Sequence, residues 1–197
     1  MKKLIIASLT LVSSVAFSQV IIGGTTGTAP AAKKAAVLLE FEAGQNKGII
    51  LPYTRTLPSG TGLEGGTILL DASDATKAKV KYYAPGNAKA DANGWIDLSS
   101  GNEANLTAPT DYMAKQPLST GANAVVEDAN AKAIIGASTT SAKGVLVLES
   151  TTKAMVLPQV ASTDDVKDPA PGMMVYLNGT NKRLAVFNGA KWTYWAP

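Results

Sequence analysis

Four clusters in this chain carry residue types and spacings that chemistry could use. Ser150-Thr151-Thr152-Lys153 spells S-x-x-K, the acylating motif of penicillin-recognising enzymes. That chemistry needs serine at a helix start, lysine one turn later, and S-D-N and K-T-G elements elsewhere. The four residues fall instead in a predicted β-turn and neither companion is present, so coincidence is the better reading. Gly23-Gly24-Thr25-Thr26-Gly27-Thr28 is glycine-rich but lacks the Gly-Lys-Ser/Thr of a phosphate loop. Asp71 with Asp74, and Asp164-Asp165 with Asp168, could gather oxygens around calcium, yet neither matches the calcium-loop spacing. Asp and Ser also favour turns through their own backbone hydrogen bonds, and that reading is preferred for both groups.

The fourth cluster is aromatic. Trp192, Tyr194 and Trp195 lie together near the C-terminus, and Tyr82, Tyr83 and Trp95 lie earlier. In a strand, Trp192 and Tyr194 share one face while Trp195 takes the other. Exposed rings of this kind stack on sugars or anchor a partner protein. Trp95 and Trp192 are expected in the core, which leaves Tyr194 and Trp195 as the candidate ligand-binding residues.

The chain holds no histidine and no cysteine. Their absence removes the commonest general base and metal ligand, the thiolate nucleophile and any disulfide staple. Carboxylates, hydroxyls and backbone oxygens remain, which would suit only a hard cation. The expectation is a protein that is not an enzyme, with no catalytic residue, no cofactor and no resident metal.

What positions these residues is a framework written twice. Ile21-Ile22-Gly23-Gly24-Thr25-Thr26 returns as Ile134-Ile135-Gly136-Ala137-Ser138-Thr139-Thr140. Val37-Leu38-Leu39-Glu40 returns as Val145-Leu146-Val147-Leu148-Glu149, and Lys47-Gly48-Ile49-Ile50-Leu51-Pro52 as Lys153-Ala154-Met155-Val156-Leu157-Pro158. From each Leu-Pro, 14 residues lead to a glycine, Gly66 or Gly172, that opens an apolar run. Each copy closes on tryptophan, Trp95 or Trp192. Repetition of both type and spacing marks duplicated structural units.

The units are predicted to be β. In the second, Val145 to Leu148 and Met155 to Leu157 flank a polar turn, predicting two short strands around it. Met173 to Leu177 and Arg183 to Phe187 flank Asn178-Gly179, the strongest short-range hairpin signal. Asn188-Gly189 then precedes Lys191 to Trp195, completing a five-strand meander. In the first unit, Ala31 to Ala36 followed by Val37-Leu38-Leu39 could start a helix, but the repeat favours a strand over Val37 to Phe41. The fold class is therefore all-β, two repeated small β-meander units joined by an Ala/Thr/Asn-rich linker. Residues 19–99 form unit 1, residues 100–132 the linker, and residues 133–197 unit 2. The linker is expected to be exposed, with a short helix over Asn123 to Ala133 as a weaker expectation.

Met1 to Ser18 reads as a secretory signal peptide. Lys2 and Lys3 precede an apolar stretch, and Ala16-Phe17-Ser18 places small residues at the cleavage positions. The stretch is short for a membrane span of about 20 residues. Without Lys2 and Lys3 the 18 basic residues fall to 16 against 15 acidic, a net +1. No basic stripe remains to meet a phosphate backbone, so nucleic acid is not an expected partner. No cysteine follows the signal to take a lipid, and the strands are short for an outer-membrane barrel. Localisation is expected to be exported, periplasmic or extracellular at the cell surface.

Met173-Met174-Val175-Tyr176-Leu177 and Ile49-Ile50-Leu51 are apolar on both faces, the pattern of strands covered on both sides. Small units without a staple bury limited cores. Either the two units pack together or identical chains share their cores. A homo-oligomer is preferred.

The sequence from Gly144 to Trp195, and more loosely from Ile21 to Pro52, resembles a repeat of secreted, fibre-like and tail-fibre-like surface proteins of Bacteroidota. The matching positions are Thr151, Thr152, Lys153, Leu157, Pro158, Gly172, Val175, Tyr176, Asn188, Gly189 and Trp192. The resemblance implies an exported, β-rich, elongated and oligomeric protein, and no reaction. No C-terminal chaperone-like region or secretion domain is recognised, which keeps periplasmic residence open beside surface display. The expected function is that of a secreted, non-catalytic structural or adhesive protein. The alternative is a carbohydrate- or protein-binding module that uses the C-terminal aromatics, with a glycan or surface protein as partner.

Overall fold

The computed structural model describes residues 19–116, 118, 121, 124–125, 128 and 131–195, so the segment 1–18, expected from its sequence to be a signal peptide, lies outside the described residues. The chain starts with a parallel pair, β1 (Val20–Ile22) against β2 (Val37–Phe41). Ala31–Ala36 makes a 3-10 turn between them, so the alanine run does turn helically, but β2 is a strand as the repeat requires. β3 (Ile49–Ile50) and β4 (Tyr53–Thr54) flank Leu51-Pro52. β5 (Ile68–Asp71), β6 (Lys79–Tyr83) and β7 (Trp95–Asp97) follow as an antiparallel meander.

The second unit repeats this order. β8 (Ala133–Ile135) lies parallel to β9 (Leu146–Leu148), and β10 (Ala154–Met155) and β11 (Gln159–Val160) flank Leu157-Pro158. β12 (Met173–Leu177), β13 (Arg183–Phe187) and β14 (Trp192–Trp195) form the second meander. The fold is all-β.

The repeat extends to hydrogen-bond register. Leu70 N donates to Pro52 O at 3.0 Å, and Tyr176 N donates to Pro158 O at 2.8 Å. Gly66 N donates to Tyr83 O at 2.8 Å, and Gly172 N to Phe187 O at 2.7 Å. Each unit thus presents a four-stranded sheet, β4-β5-β6-β7 or β11-β12-β13-β14, with a parallel first pair.

Three local expectations change. Val145 to Leu148 and Met155 to Leu157 do not form a hairpin: β9 pairs with β8, and β10 crosses to lie parallel on β2 of the first unit. The Asn178-Gly179 turn is a five-residue loop in which neither residue has positive φ. Glycine is required there by proximity, since a Cβ at Gly179 would stand 2.8 Å from Ala161 O. The glutamate pairing of the repeat also shifts. Glu42 N donates to Ile22 O and Glu149 N to Ile135 O, each at 2.9 Å, so Glu149 corresponds to Glu42 and not to Glu40.

The units interlock. β10 from unit 2 adds to β2, while β3 from unit 1 lies antiparallel on the first half of β12, beside β11. The main core forms where the same face of each sheet meets: Leu70 and Val80 from one, Met174 and Val186 from the other, with Leu51. The opposite face of β12 builds a second core from Val160, Val166, Met173, Val175 and Leu177. Apolar residues on both faces of β12 are therefore covered on both sides. Ile50 departs from that pattern and is 55% exposed.

The start of the linker is core, not exposed. Ala104, Leu106 and Met113 are buried against Val80 and Leu98, and Ala104 bridges Ala78. Composition hid this because two leucine- or methionine-sized side chains suffice to close a small sheet face. No described residue within 123–133 is helical, and Ala133 begins β8; the others of that segment lie outside the described residues.

Candidate assembly surface

The structure uses three of the four chemistry-like clusters to hold the chain to itself. Ser150 Oγ accepts from Thr152 N at 3.2 Å and Lys153 N at 2.9 Å, a hydroxyl-capped turn with no helix behind it. The glycine loop wraps the protein's own carboxylates. Thr26 N donates to Glu42 Oε2 at 2.8 Å and Ala29 N to Glu40 Oε2 at 2.8 Å. A Cβ at Gly27 would fall 1.8 Å from the Glu40 carboxyl carbon, so that glycine exists to admit the carboxylate.

Glu40 is fully buried and also accepts from Gln19 and from Lys34 Nζ at 2.6 Å. Its lone pairs are satisfied inside the fold, the condition under which a buried charge is tolerated.

The acidic groups are likewise turn residues. Asp71 Oδ1 accepts from Ser73 N at 3.1 Å and Ser73 Oγ at 2.7 Å, while Oδ2 pairs with Lys81 Nζ at 2.8 Å. Burial raises the Asp71 pKa, but the bonds from Lys81 and Ser73 together outweigh it and hold the carboxyl below its ordinary value. Asp74 is lowered by the Thr76 hydroxyl and backbone N–H that bond it. Ser162 and Asp165 form a reciprocal capping box on the 3-10 turn Thr163–Asp165.

The aromatic cluster divides. Trp95 is buried and Trp192 packs on the second core, as the repeat anticipates. Tyr194 and Trp195 are 40% and 44% exposed on β14, the edge strand of its sheet. They do not form one platform. The Tyr194 ring is capped by the Arg183 guanidinium at 4.0 Å, and its hydroxyl lies 3.0 Å from Thr163 Oγ1. Trp195 points to the other face, beside Leu184 in register.

Two shallow depressions open to solvent. One, of about 430 Å³, lies inside the loop from Tyr83 to Gly94. The other, of about 470 Å³, lies between Leu38, Gly136, Glu149 and Lys153. Neither gathers a cluster of metal-binding side chains among the described residues.

The residues that sequence reasoning passed over are at strand edges. Val145, next to β9, is 71% exposed and Leu146, on it, 47% exposed; β9 has β8 on one side and, among the described residues, no strand on the other. A two-stranded parallel ribbon is marginal by itself, and parallel sheets are ordinarily covered. Val20 at 37%, Ile22 at 45% and Ile50 at 55% add exposed apolar side chains on β1 and β3. The signal in the sequence is the repeat itself: β2 and β9 share a pattern, yet of the two only β2 has strands on both sides among the described residues.

Residues 134–197 match the family model of a phage tail like trimerisation region. The matched segment runs from β8 through β14, including the ribbon with the open edge. Nothing among curated proteins or solved structures matches the chain. The match supports a tail-fibre-like module and a homo-oligomer, specifically a trimer, and with the all-β fold it fits a structural, fibre-like protein. No helix among the described residues is long and apolar enough to cross a membrane.

Proposed function

We propose that this protein is an exported, non-catalytic structural component that works as a fibre-like homotrimer, with an adhesive role at the cell surface or in the periplasm. The observation that supports it most is the coincidence of the trimerisation match with an unfinished parallel ribbon, β8–β9, carrying exposed Val145 and Leu146. A structural protein needs extensive self-complementary surface and no reactive constellation. The chemistry-like motifs here are consumed by turns and by a satisfied buried carboxylate. Export rests on the sequence pattern of residues 1–18.

The test is solution mass and shape, by light scattering coupled to small-angle X-ray scattering on the chain from Gln19. A stable trimer with an elongated profile is expected. A compact monomer at micromolar concentration would remove the fibre reading and return attention to Tyr194 and Trp195, where saturable tryptophan fluorescence changes with soluble glycans would then be sought.

A further inference from the structure

The contact between the two units is directional. Unit 1 offers β2 and β3, while unit 2 offers β10 to β2 and β12 to β3. If the units faced each other across a two-fold axis, β3 would also lie on β9, and β10 on β5. Neither pairing is present among the described residues. The unused halves are therefore β9 with the outer edge of β10 on unit 2, and β5 with the outer edge of β3 on unit 1.

These halves are complementary in the way the used ones are. Resting on the homotrimer reading, we infer that unit 2 of one copy receives unit 1 of a second copy through the same joint that links the units within the chain. β3 of the second copy lies parallel on the free edge of β9, and β10 of the first lies antiparallel on the first half of β5.

Register transfers directly. Met155 pairs with Leu39 and Ile50 with Met173. Structural equivalence of Leu39 with Leu146, Met155 with Ile49, Met173 with Thr67 and Ile50 with Val156 places Ile49 beside Leu146 and Val156 beside Thr67.

Two observations favour that joint. The first is exposure: Leu146, Val145 and Ile50 are among the most exposed large apolar residues, and they fall on the two sides to be joined. The second is backbone geometry. Leu70 N bonds Pro52 O, so by antiparallel alternation Ile68 turns its N–H and C=O to the same edge. Its counterpart Met174 uses that edge to meet β3, whereas beside Ile68 there is no strand among the described residues. The joint also sets a spacing. A Cβ at Gly48 would reach Met173 Cγ at 2.4 Å, Met174 O at 2.7 Å and Val175 Cγ1 at 2.9 Å. With Ala154 in that place the transferred strand must stand a few tenths of an ångström farther from β5 than β3 does from β12.

A head-to-tail joint of this kind closes into a ring or runs on as a filament. Three copies, each supplying one unused half of either kind, close with both halves of every joint paired.

The experiment uses engineered cysteines in a chain that has none. Opposed residues on neighbouring strands stand about 4.5–5.5 Å apart, within disulfide range. The double variant Thr67→Cys/Val156→Cys is oxidised and run on a non-reducing gel, with each single variant as control. Within one chain Val156 bonds Leu39 across its strand, so it is not seated beside Thr67. Expected is a covalent trimer from the double variant and none from the single variants, with light scattering showing a trimer for all three. A covalent ladder beyond trimer would support the joint and show an open filament. A trimer by scattering with no cross-link would overturn the joint while leaving the fibre reading intact. A monomer by scattering would overturn both. A second pair, Leu146→Cys/Ile49→Cys, tests the parallel half and guards against loss of folding in the first.

Discussion

Trp95 and Trp192 occupy the same place in two sheets, each tilted against the aromatic residue opposite it. Tyr83 and Trp95 have centroids 5.2 Å apart with planes at 55°, and Phe187 and Trp192 are 5.3 Å apart at 52°. Both pairs are in cross-strand register at the mouth of the last hairpin. The loop between them differs, since Ala84 N bonds Gly94 O in unit 1, while Asn188 N bonds Lys191 O in unit 2. The ring pair is thus kept through an insertion, which marks it as the element that closes the sheet.

The two tryptophans should not cost the same on removal. Trp95 is 2% exposed and Trp192 only partly buried. Trp95→Ala is expected to destabilise by about 3–5 kcal/mol, the range for large aromatic truncations in a core. Trp192→Ala should cost less. Urea unfolding followed by circular dichroism reads both.

Leu106→Ala tests whether the connector belongs to the core. Leu106 is fully buried and its N–H bonds Ala75 O at 2.7 Å. Loss is expected to be about 2–5 kcal/mol, measured as a shift in urea midpoint at unchanged slope. An exposed linker would show no shift.

The sequence carried the sheets because their signal is local and doubled. Gly172 and the run Met173 to Leu177 keep the spacing from Leu-Pro that Gly66 and its run show, and the strands form there. Pairing between the units was illegible. β10 and β3 are two-residue strands whose partners are chosen by tertiary packing, and nothing in Ala154-Met155 names β2 as its neighbour. The glycine loop fails as a phosphate loop on its sequence, but the carboxylates it encloses come from residues more than ten positions later, beyond any motif window. The strand period alone sets Tyr194 and Trp195 on opposite faces; the Arg183 cap on Tyr194 follows only from the register of β13 against β14.

Acid and alkali should unfold the protein through different residues. The folded Asp71 pKa lies below its unfolded value of 3.8, because bonds from Lys81 and Ser73 outweigh burial. Its stabilisation is present above that pH and lost as pH falls through the folded value. Tyr53 is raised from 10.0 to about 12, by burial first and then by Tyr112 nearby. Its contribution is full below pH 10 and lost as pH rises through about 12. Asp71→Asn should flatten the acid limb and Tyr53→Phe the alkaline limb of stability against pH, each leaving the other limb unchanged. Urea titrations across the two ranges separate them.

The buried carboxylate gives the sharpest local test. Glu40 collects Ala29 N, Lys34 and Gln19, and Gly27 leaves the space it fills. Removing the acceptor strands a buried N–H, which costs about 1–3 kcal/mol. Lys34 is 33% exposed and can turn to water, so the lost ion pair adds little beyond that. Gly27→Ala acts from the other side, forcing the carboxylate out of its seat while leaving it charged. If the loop exists to hold Glu40, then Glu40→Ala and Gly27→Ala each destabilise, and the double variant costs less than their sum because both remove the same contact. Additive losses in a double-mutant cycle would separate loop and carboxylate, and would leave the glycine explained only by its backbone.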